Sequence, residues 1–547
     1  MKRRMHRLFF ACFFIIIISF PGCHKNLKKD LLAIEKDSGR IRNVIIMIAD
    51  GMGSQELGLL ISYAKYAPHS IYISKGRITA IEKVIEAGTL GYAYHEAANV
   101  LVTDSAASAT QIASGKKALL ETIGINQNGD PAETILEKAK KVGKSTGLVS
   151  DTRLTHATPA SFAAHQTHRS KENEIAVDLL NNKVDVMLSG GLCYWLPKEA
   201  NDENNEIQKQ FEKRTGDAIK IVSERNDSRN LLDEAEDLGY ILVFTKDQLE
   251  QANNNKILGL FNDSVFPYRI DFNLNDPKRT IPSLKEMTIK ALQILSMNKK
   301  GFFLMVESGL IDWSAHDNDA GTLLHEMIRF DETLDSIYEW VKGRNDTLLV
   351  VTADHETGGF SFSYSRENIP ESKDFPGEIF KGEKFAPGFN FGSYDILDRI
   401  YNQKKSYQSI IIEFDSLPKE QKTPKAMAKI INSATEFPIN EEEACAILAW
   451  EEKEYDGNYN TCYGLNIIRR LNDFREFYVN NESIRKDILG RIVAKQQNVV
   501  WSTGMHTNTP VPLIVFGPEK VTKKFGRLIH TTEWSQYAID ALLEKHE

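Results

Sequence analysis

A chain of 547 residues is long enough for a large enzyme domain carrying an extra module. With 42% hydrophobic, 9% aromatic and 26% charged residues, its composition is that of an ordinary globular protein. The formal net charge is −8 and the body of the chain has no strongly basic block. That excludes the clustered Lys and Arg on which non-specific nucleic-acid binding depends, so no nucleic-acid partner is expected.

Residues 1–22 read as a targeting signal. Lys2, Arg3, Arg4 and Arg7 precede an apolar run from Leu8 to Phe20, 13 residues long, which is short of the roughly 20 that a membrane-spanning helix needs. The run ends in Ser19-Phe20-Pro21-Gly22-Cys23, which resembles a bacterial lipoprotein signal, where a small residue precedes a lipidated Cys. Phe20 and Pro21 depart from that pattern, and an ordinary cleaved signal with an incidental Cys is the other reading. Either way the chain is expected to be exported, periplasmic or anchored to a membrane through Cys23, with polar residues 23–40 as a tether. Five cysteines make no disulfide framework. Cys445 and Cys462 are the nearest pair in sequence once Cys12 and Cys23 are set aside, but spacing alone does not establish a bond between them or with Cys193.

From residue 41 the chain alternates short apolar runs with helical patterns. Val44 to Ile48 is a continuous β-branched run of the kind that forms a buried parallel strand. Asn99–Thr103, Lys144–Ser150, Val184–Ser189, Gly301–Val306 and Thr347–Thr352 repeat it, with helices predicted between them, as over Pro131–Val142 and Pro282–Met297. The alternation predicts an α/β fold: a three-layer sandwich with a large, mostly parallel central sheet flanked by helices, spanning 41–547. Residues 362–497 break the rhythm with aromatic-rich loops and helical stretches at Pro424–Ala434 and Glu441–Trp450. They are expected to form an inserted, cap-like module.

In such sheets ligands sit beyond the carboxyl ends of the strands. Asp50, Asp104, Glu307 and Asp354 each follow or close an apolar strand pattern. Any one alone is an ordinary turn residue; four converging on one sheet edge need cations. Ser105 follows Asp104 and opens a helix of small residues, where free N–H groups and the helix dipole stabilise an anion. In isolation Ser105 would be read as a helix cap.

Asp104-Ser105-Ala106-x-x-Ala109-Thr110 resembles the nucleophile motif of alkaline phosphatases. Other motifs of that family follow in its order: Ile48-Ala49-Asp50-Gly51-Met52-Gly53; Thr155-His156-Ala157-Thr158-Pro159-Ala160 with Arg169; Glu307 through His316; Thr352-Ala353-Asp354-His355-Glu356; and Met505-His506-Thr507. The resemblance implies a phosphate monoester hydrolase with Ser105 as nucleophile and Arg169 clamping the substrate phosphate. It implies two Zn2+ and one Mg2+. Asp312, His316 and His506 would hold the zinc that activates water, and Asp50, Asp354 and His355 the zinc facing Ser105. Asp50, Thr158 and Glu307 would hold magnesium, with His156 beside them. Imidazole with carboxylate suits zinc, and an all-oxygen set suits magnesium. If helical, Asp312 and His316 share a face at i and i+4. His156 stands where some members carry Asp, and Trp313 where others carry Lys or His. His165 and His168 receive no role. Members of the family often pair, which implies a homodimer by analogy only.

Two other readings differ in chemistry. A sulfatase or phosphodiesterase of the same superfamily would carry a different nucleophile motif, and Ser105-Ala106-Ala107 lacks the Pro and Arg of sulfatases. A non-catalytic surface lipoprotein would have lost ligand positions, and here every one is filled.

Overall fold

The computed structural model describes residues 40–202, 206–216, 218–449 and 484–543. The signal, residues 23–39 of the tether, Trp450 and Cys462 lie outside them, and with Cys462 the candidate Cys445–Cys462 bond. The strands of the main sheet are β1 (Asn43–Ala49), β2 (Thr89–Tyr94), β3 (Ser145–Arg153), β4 (Val186–Gly190), β5 (Ile241–Val243), β6 (Ile257–Leu260), β7 (Phe302–Ser308), β8 (Thr347–Thr352), β9 (Val511–Phe516) and β10 (Leu528–His530). They form one 10-stranded sheet in the order β10-β2-β9-β8-β1-β7-β3-β4-β6-β5. Every pairing is parallel except those of β9, which runs antiparallel to β2 and β8. Helices pack on the sheet, among them Leu284–Leu295 against β3 and β7 and Thr531–Leu543 against β1.

The β-branched run of β1 is buried throughout, as are β7 and β8 on either side of it. Strands covered on both faces need no polar alternation, which is why their sequences are continuous hydrophobic runs. Their register decides the site. Ile48 pairs with Glu307 on one side and Thr352 on the other, so the three strands end level with one another. Ser150 of β3 also pairs with Glu307. The residues that leave these strands therefore meet at one edge.

Two of the sequence expectations need adjustment, and five strands went unread. Asn99–Thr103 is not a strand but an irregular turn, with Asn99 at φ 62° and Leu101 77% exposed. A left-handed residue breaks the extended run that the apolar composition suggested. The strands β2, β5, β6, β9 and β10 had no clear sequence signal: they are short or interrupted by Gly91, Gly259 or Pro512. The predicted helices start later than expected, at Ile135 and Leu284, where Thr134 with Glu137 and Ser283 with Glu286 form capping boxes.

Residues 362–497 contribute a small ribbon pairing Lys373–Asp374 with Lys384–Phe385, and helices including Tyr407–Asp415, Pro424–Ala434, Glu441–Ala449 and Ile484–Gln497. Their buried side chains, such as Ile410, Met427, Ile431 and Leu489, are continuous with the hydrophobic core of the sheet layer.

Candidate active site

The helix Ser105–Ser114 begins with Asp104 as its cap: the carboxylate accepts from Ala106 N at 3.2 Å and Ala107 N at 3.1 Å. With capping done by Asp104, the Ser105 hydroxyl is free for other work. It is buried, and its Oγ lies 3.2 Å from His355 Nε2. Every residue of the helix is buried, and its small side chains let the neighbouring strand ends approach. Asp104 also holds Arg169, whose Nη1 donates to Oδ2 at 3.0 Å, while Nη2 sits 3.3 Å from His156 Nε2. Asp104 thus stands apart from the other three strand-end acids, contrary to the expectation that all four converge.

Those three meet. Asp50, Glu307 and Asp354 are buried completely, and Asp50 and Asp354 flank the turn at Gly51. Gly51 has φ +79°, and a Cβ there would come within 2.7 Å of Asp312 Cα, so only glycine allows the approach. Asp354 Oδ1 accepts from Gly51 N at 3.2 Å and His355 N at 2.9 Å, which turns the chain after β8 so that both Asp354 and His355 face inward.

Three overlapping groups of potential ligands result, the atoms of each within 4.8 Å of one another: Asp312, His316 and His506; Asp50, Asp312 and His355; and Asp50, His156 and Glu307. Asp354 adjoins the second, its Oδ2 3.2 Å from His355 Nε2. Asp312 and His316 lie in the helix Leu310–His316, with Asp312 Oδ2 3.4 Å from His316 Nε2. His316 Nδ1 is 2.6 Å from Gly504 O and His506 Nδ1 is 3.0 Å from Thr103 O. A carbonyl only accepts, so each Nδ1 carries a proton, and the two Nε2 atoms face each other 3.1 Å apart. With Asp312 beside them, that arrangement suits two ligating nitrogens turned to one cation.

The oxygens say the same. Both carboxylate oxygens of Asp50, Glu307 Oε1, Asp354 Oδ2 and Thr158 Oγ1 are buried without a hydrogen-bond partner, as is His156 Nδ1. Buried polar atoms are otherwise almost always paired. The donor set therefore fits metal ions: N/O groups toward His316 and His355, mostly oxygen toward Glu307 and Thr158. Burial pushes the Asp50 carboxyl far above its usual range, reinforced by Asp354, Asp312 and Glu307. Burial, reinforced by the nearby Asp312 carboxylate, raises Asp354 to about 7, and burial raises Glu307 to about 7 against the pull of its Ser150 hydrogen bond. The imidazoles move the other way: burial lowers His506 to about 4 and drives His355 and His156 well below the usual value, aided by His506 and Arg169 respectively. Carboxylates that resist their charge and histidines that refuse a proton are what a cation would relieve.

Several supporting residues carried no sequence signal of their own. Ser150 and Thr152 donate to Glu307 Oε2, the latter at 3.0 Å, and Thr357 Oγ1 donates to Asp312 Oδ1 at 2.5 Å. Alternation along β3 and the chain turn after Glu356 place them, and small hydroxyl residues are too common to single out. Trp313 lies beside His156, ring centroids 6.0 Å apart, and borders the same cavity as Ser105 and Arg169. His165 and His168 are outside the cluster, paired with Glu137 at 3.0 Å and Glu121 at 2.9 Å.

A parallel α/β sheet whose strand ends gather Asp, Glu and His around a helix-start serine defines an α/β metal-binding hydrolase. The family model for alkaline phosphatase matches residues 41–538, and the chain belongs to that family. It is 30% identical over 543 residues to alkaline phosphatase 3 of Bacillus subtilis, covering 96% of this chain and 95% of that protein. Alkaline phosphatase 4 of the same organism is 32% identical over 428 residues, 76% of this chain and 84% of the relative. Among solved structures, the Thermus thermophilus alkaline phosphatase superposes with a TM-score of 0.70 at 24% identity, covering 93% of this chain and 92% of that one. A cold-active alkaline phosphatase from Shewanella gives 0.64 at 26% identity, covering 91% and 99%. The protein is thus a phosphate monoester hydrolase of a metal-ion-dependent family. Among the described residues no helix is long and apolar enough to cross a membrane.

Proposed function

We propose that the protein cleaves phosphate monoesters to alcohol and inorganic phosphate through a phosphoserine at Ser105. The observation that carries this reading is the set of unpartnered buried acceptors around Asp50, beside the Ser105 hydroxyl. Asp312, His316 and His506 would hold one zinc ion, and Asp50, Asp354 and His355 a second. Asp50, Thr158 and Glu307, with His156 alongside, would hold magnesium. When bound, such ions supply positive charge to the oxygens entering and leaving phosphorus and lower the pKa of water.

The chain's own groups do the rest. Ser105 Oγ gives up its proton to solvent and forms a bond to phosphorus as the bond to the alcohol oxygen breaks in line on the opposite side, the alcohol taking a proton from solvent. A water then displaces Ser105 Oγ, which regains a proton, and inorganic phosphate is released. Arg169, held by Asp104 through Nη1, offers its planar fork to the non-bridging oxygens. The first N–H groups of the helix Ser105–Ser114 add a positive dipole end to the same anion. Burial keeps His355 and His506 neutral, so both retain ligating lone pairs at working pH.

The test is acid-quench trapping with a 32P-labelled monoester. A label on Ser105, lost in Ser105→Ala together with turnover by a factor on the order of 10³ or more, is the expected result. Near-wild-type turnover in that variant would refute the covalent route. Turnover of p-nitrophenyl phosphate should exceed that of its phosphodiester and its sulfate; a preference for either would move the protein to another branch of the superfamily. Export follows from the signal at 1–22, and labelling with radioactive palmitate that survives in wild type but not in Cys23→Ser would establish the lipid anchor.

A further inference from the structure

The cavity over Ser105 has a volume of about 740 Å³, far more than a phosphate group needs. Its inner end holds Ser105, Arg169 and the ligand groups; its outer wall comes from residues 362–497, through Gln408 and Ile412 of the helix Tyr407–Asp415 and Lys486 of the helix Ile484–Gln497. Lys486 is held in place: its Nζ lies 2.7 Å from Asp317 Oδ1 and 2.8 Å from Gln408 Oε1, and its side chain is only 13% exposed. Two of the three ammonium donors are thereby used, and among the described residues the third remains for a ligand. Tyr268 Oη donates to the other Asp317 oxygen at 3.5 Å, which completes a fixed polar wall.

The charge of that wall decides what it suits. Lys486 is neutralised by Asp317, and Asp271, which also borders the cavity, adds a further negative charge. Among the described residues, a leaving group with a second phosphate or carboxylate meets no unpaired cation there. A neutral group rich in hydroxyls meets fixed donors and acceptors, in a cavity that the half-buried Trp313 ring also borders with an apolar face.

We propose that Lys486, Gln408 and Asp317 form a leaving-group subsite that selects phosphate esters of neutral, ring-shaped, polyhydroxylated alcohols, as in a sugar phosphate or a nucleoside monophosphate. This rests on the phosphatase reading above. The inference is tested with glucose 6-phosphate against cyclohexylmethyl phosphate, which keeps the ring and removes the hydroxyls, with adenosine 5′-monophosphate as a third ester. The wild-type enzyme should favour a hydroxylated ester by about tenfold or more in kcat/KM, expressed mainly in KM, because each hydrogen bond to a fixed charged group is worth roughly that factor. Whichever of glucose 6-phosphate and adenosine 5′-monophosphate leads assigns the source of the hydroxyls. Lys486→Met and Gln408→Leu should each reduce the ratio several-fold. Gln408→Leu leaves the Lys486–Asp317 pair intact and serves if Lys486→Met fails to fold. A wild-type ratio near one, or a ratio unchanged in the folded variants, would overturn the subsite. An enzyme that cleaves none of the three esters would instead sink the phosphatase reading, and the subsite with it.

Discussion

Asp50 and Asp319 are equally buried aspartates with opposite surroundings. Asp319 caps the helix Ala320–Val341 and accepts from Thr322 N at 3.0 Å, Thr322 Oγ1 at 2.6 Å, Gln403 Nε2 at 2.8 Å and Tyr407 N at 2.8 Å. Burial still pushes its carboxyl up to about 6, with those donors pulling the other way. Asp50 has no donor at all and faces three other carboxylates. The histidines divide alike. Next to Asp312, His506 falls to about 4 through burial, whereas His165 is raised by its hydrogen bond to Glu137. Burial of a charge therefore does not mark a ligand; burial without a donor and among other carboxylates, as at Asp50, fits one. Asp319 is satisfied by protein donors, and Asp50 is not.

That contrast can be broken by experiment. Asp50→Ala should cost activity on the order of 10³-fold or more while leaving the metal-free protein as stable as wild type, or more so, since like charges are relieved. Equal loss of activity and metal-free stability would erase the distinction. Chelation should lower the stability of the wild type by about 4 kcal/mol when the free ion had been at 1,000 times its Kd, and zinc with magnesium should restore both melting temperature and turnover. A melting temperature indifferent to EDTA would mean that the unpartnered acceptors are not ligands.

Asp319→Ala should do the reverse of Asp50→Ala. Buried donors on Thr322, Gln403 and Tyr407 lose their acceptor, at a cost of about 3 kcal/mol in urea unfolding, while the kcat of the folded fraction changes little. The smallest effect is expected at His165, whose side chain is 25% exposed. Its pKa is raised in the folded state, so its pairing with Glu137 contributes fully below the unfolded value of about 6.5 and is lost as pH rises through the folded value. His165→Gln should destabilise by about 1 kcal/mol at pH 6 and by less at pH 9. A deficit that grows with pH would contradict the sign.

Much of this was legible in the chain. The runs Val44–Ile48, Gly301–Val306 and Thr347–Thr352 foretold the centre of the sheet because strands buried on both faces carry no polar alternation. Asp312 and His316 could be paired from helical spacing alone, and Asp354 with His355 from their place at a strand end. The strands toward the two ends of the sheet escaped notice, since β2 is only partly buried and β5 is three residues long, and neither shows the continuous run. Asn99–Thr103 misled for the complementary reason: an apolar run reports hydrophobicity and not φ.

What the sequence determined by itself was therefore local: which segments are strand or helix, which residue types carry the chemistry, and which family's order of motifs they follow. Tertiary structure decided who meets whom. Register between β1, β7 and β8 set Asp50 beside Glu307, and the packing of helices and loops on the sheet made Asp104 both a cap for the nucleophile helix and a partner for Arg169, and brought Lys486 to Asp317 from a distant helix. Partnership between distant side chains depends on how strands pair and layers pack, and no spacing along a chain encodes that directly.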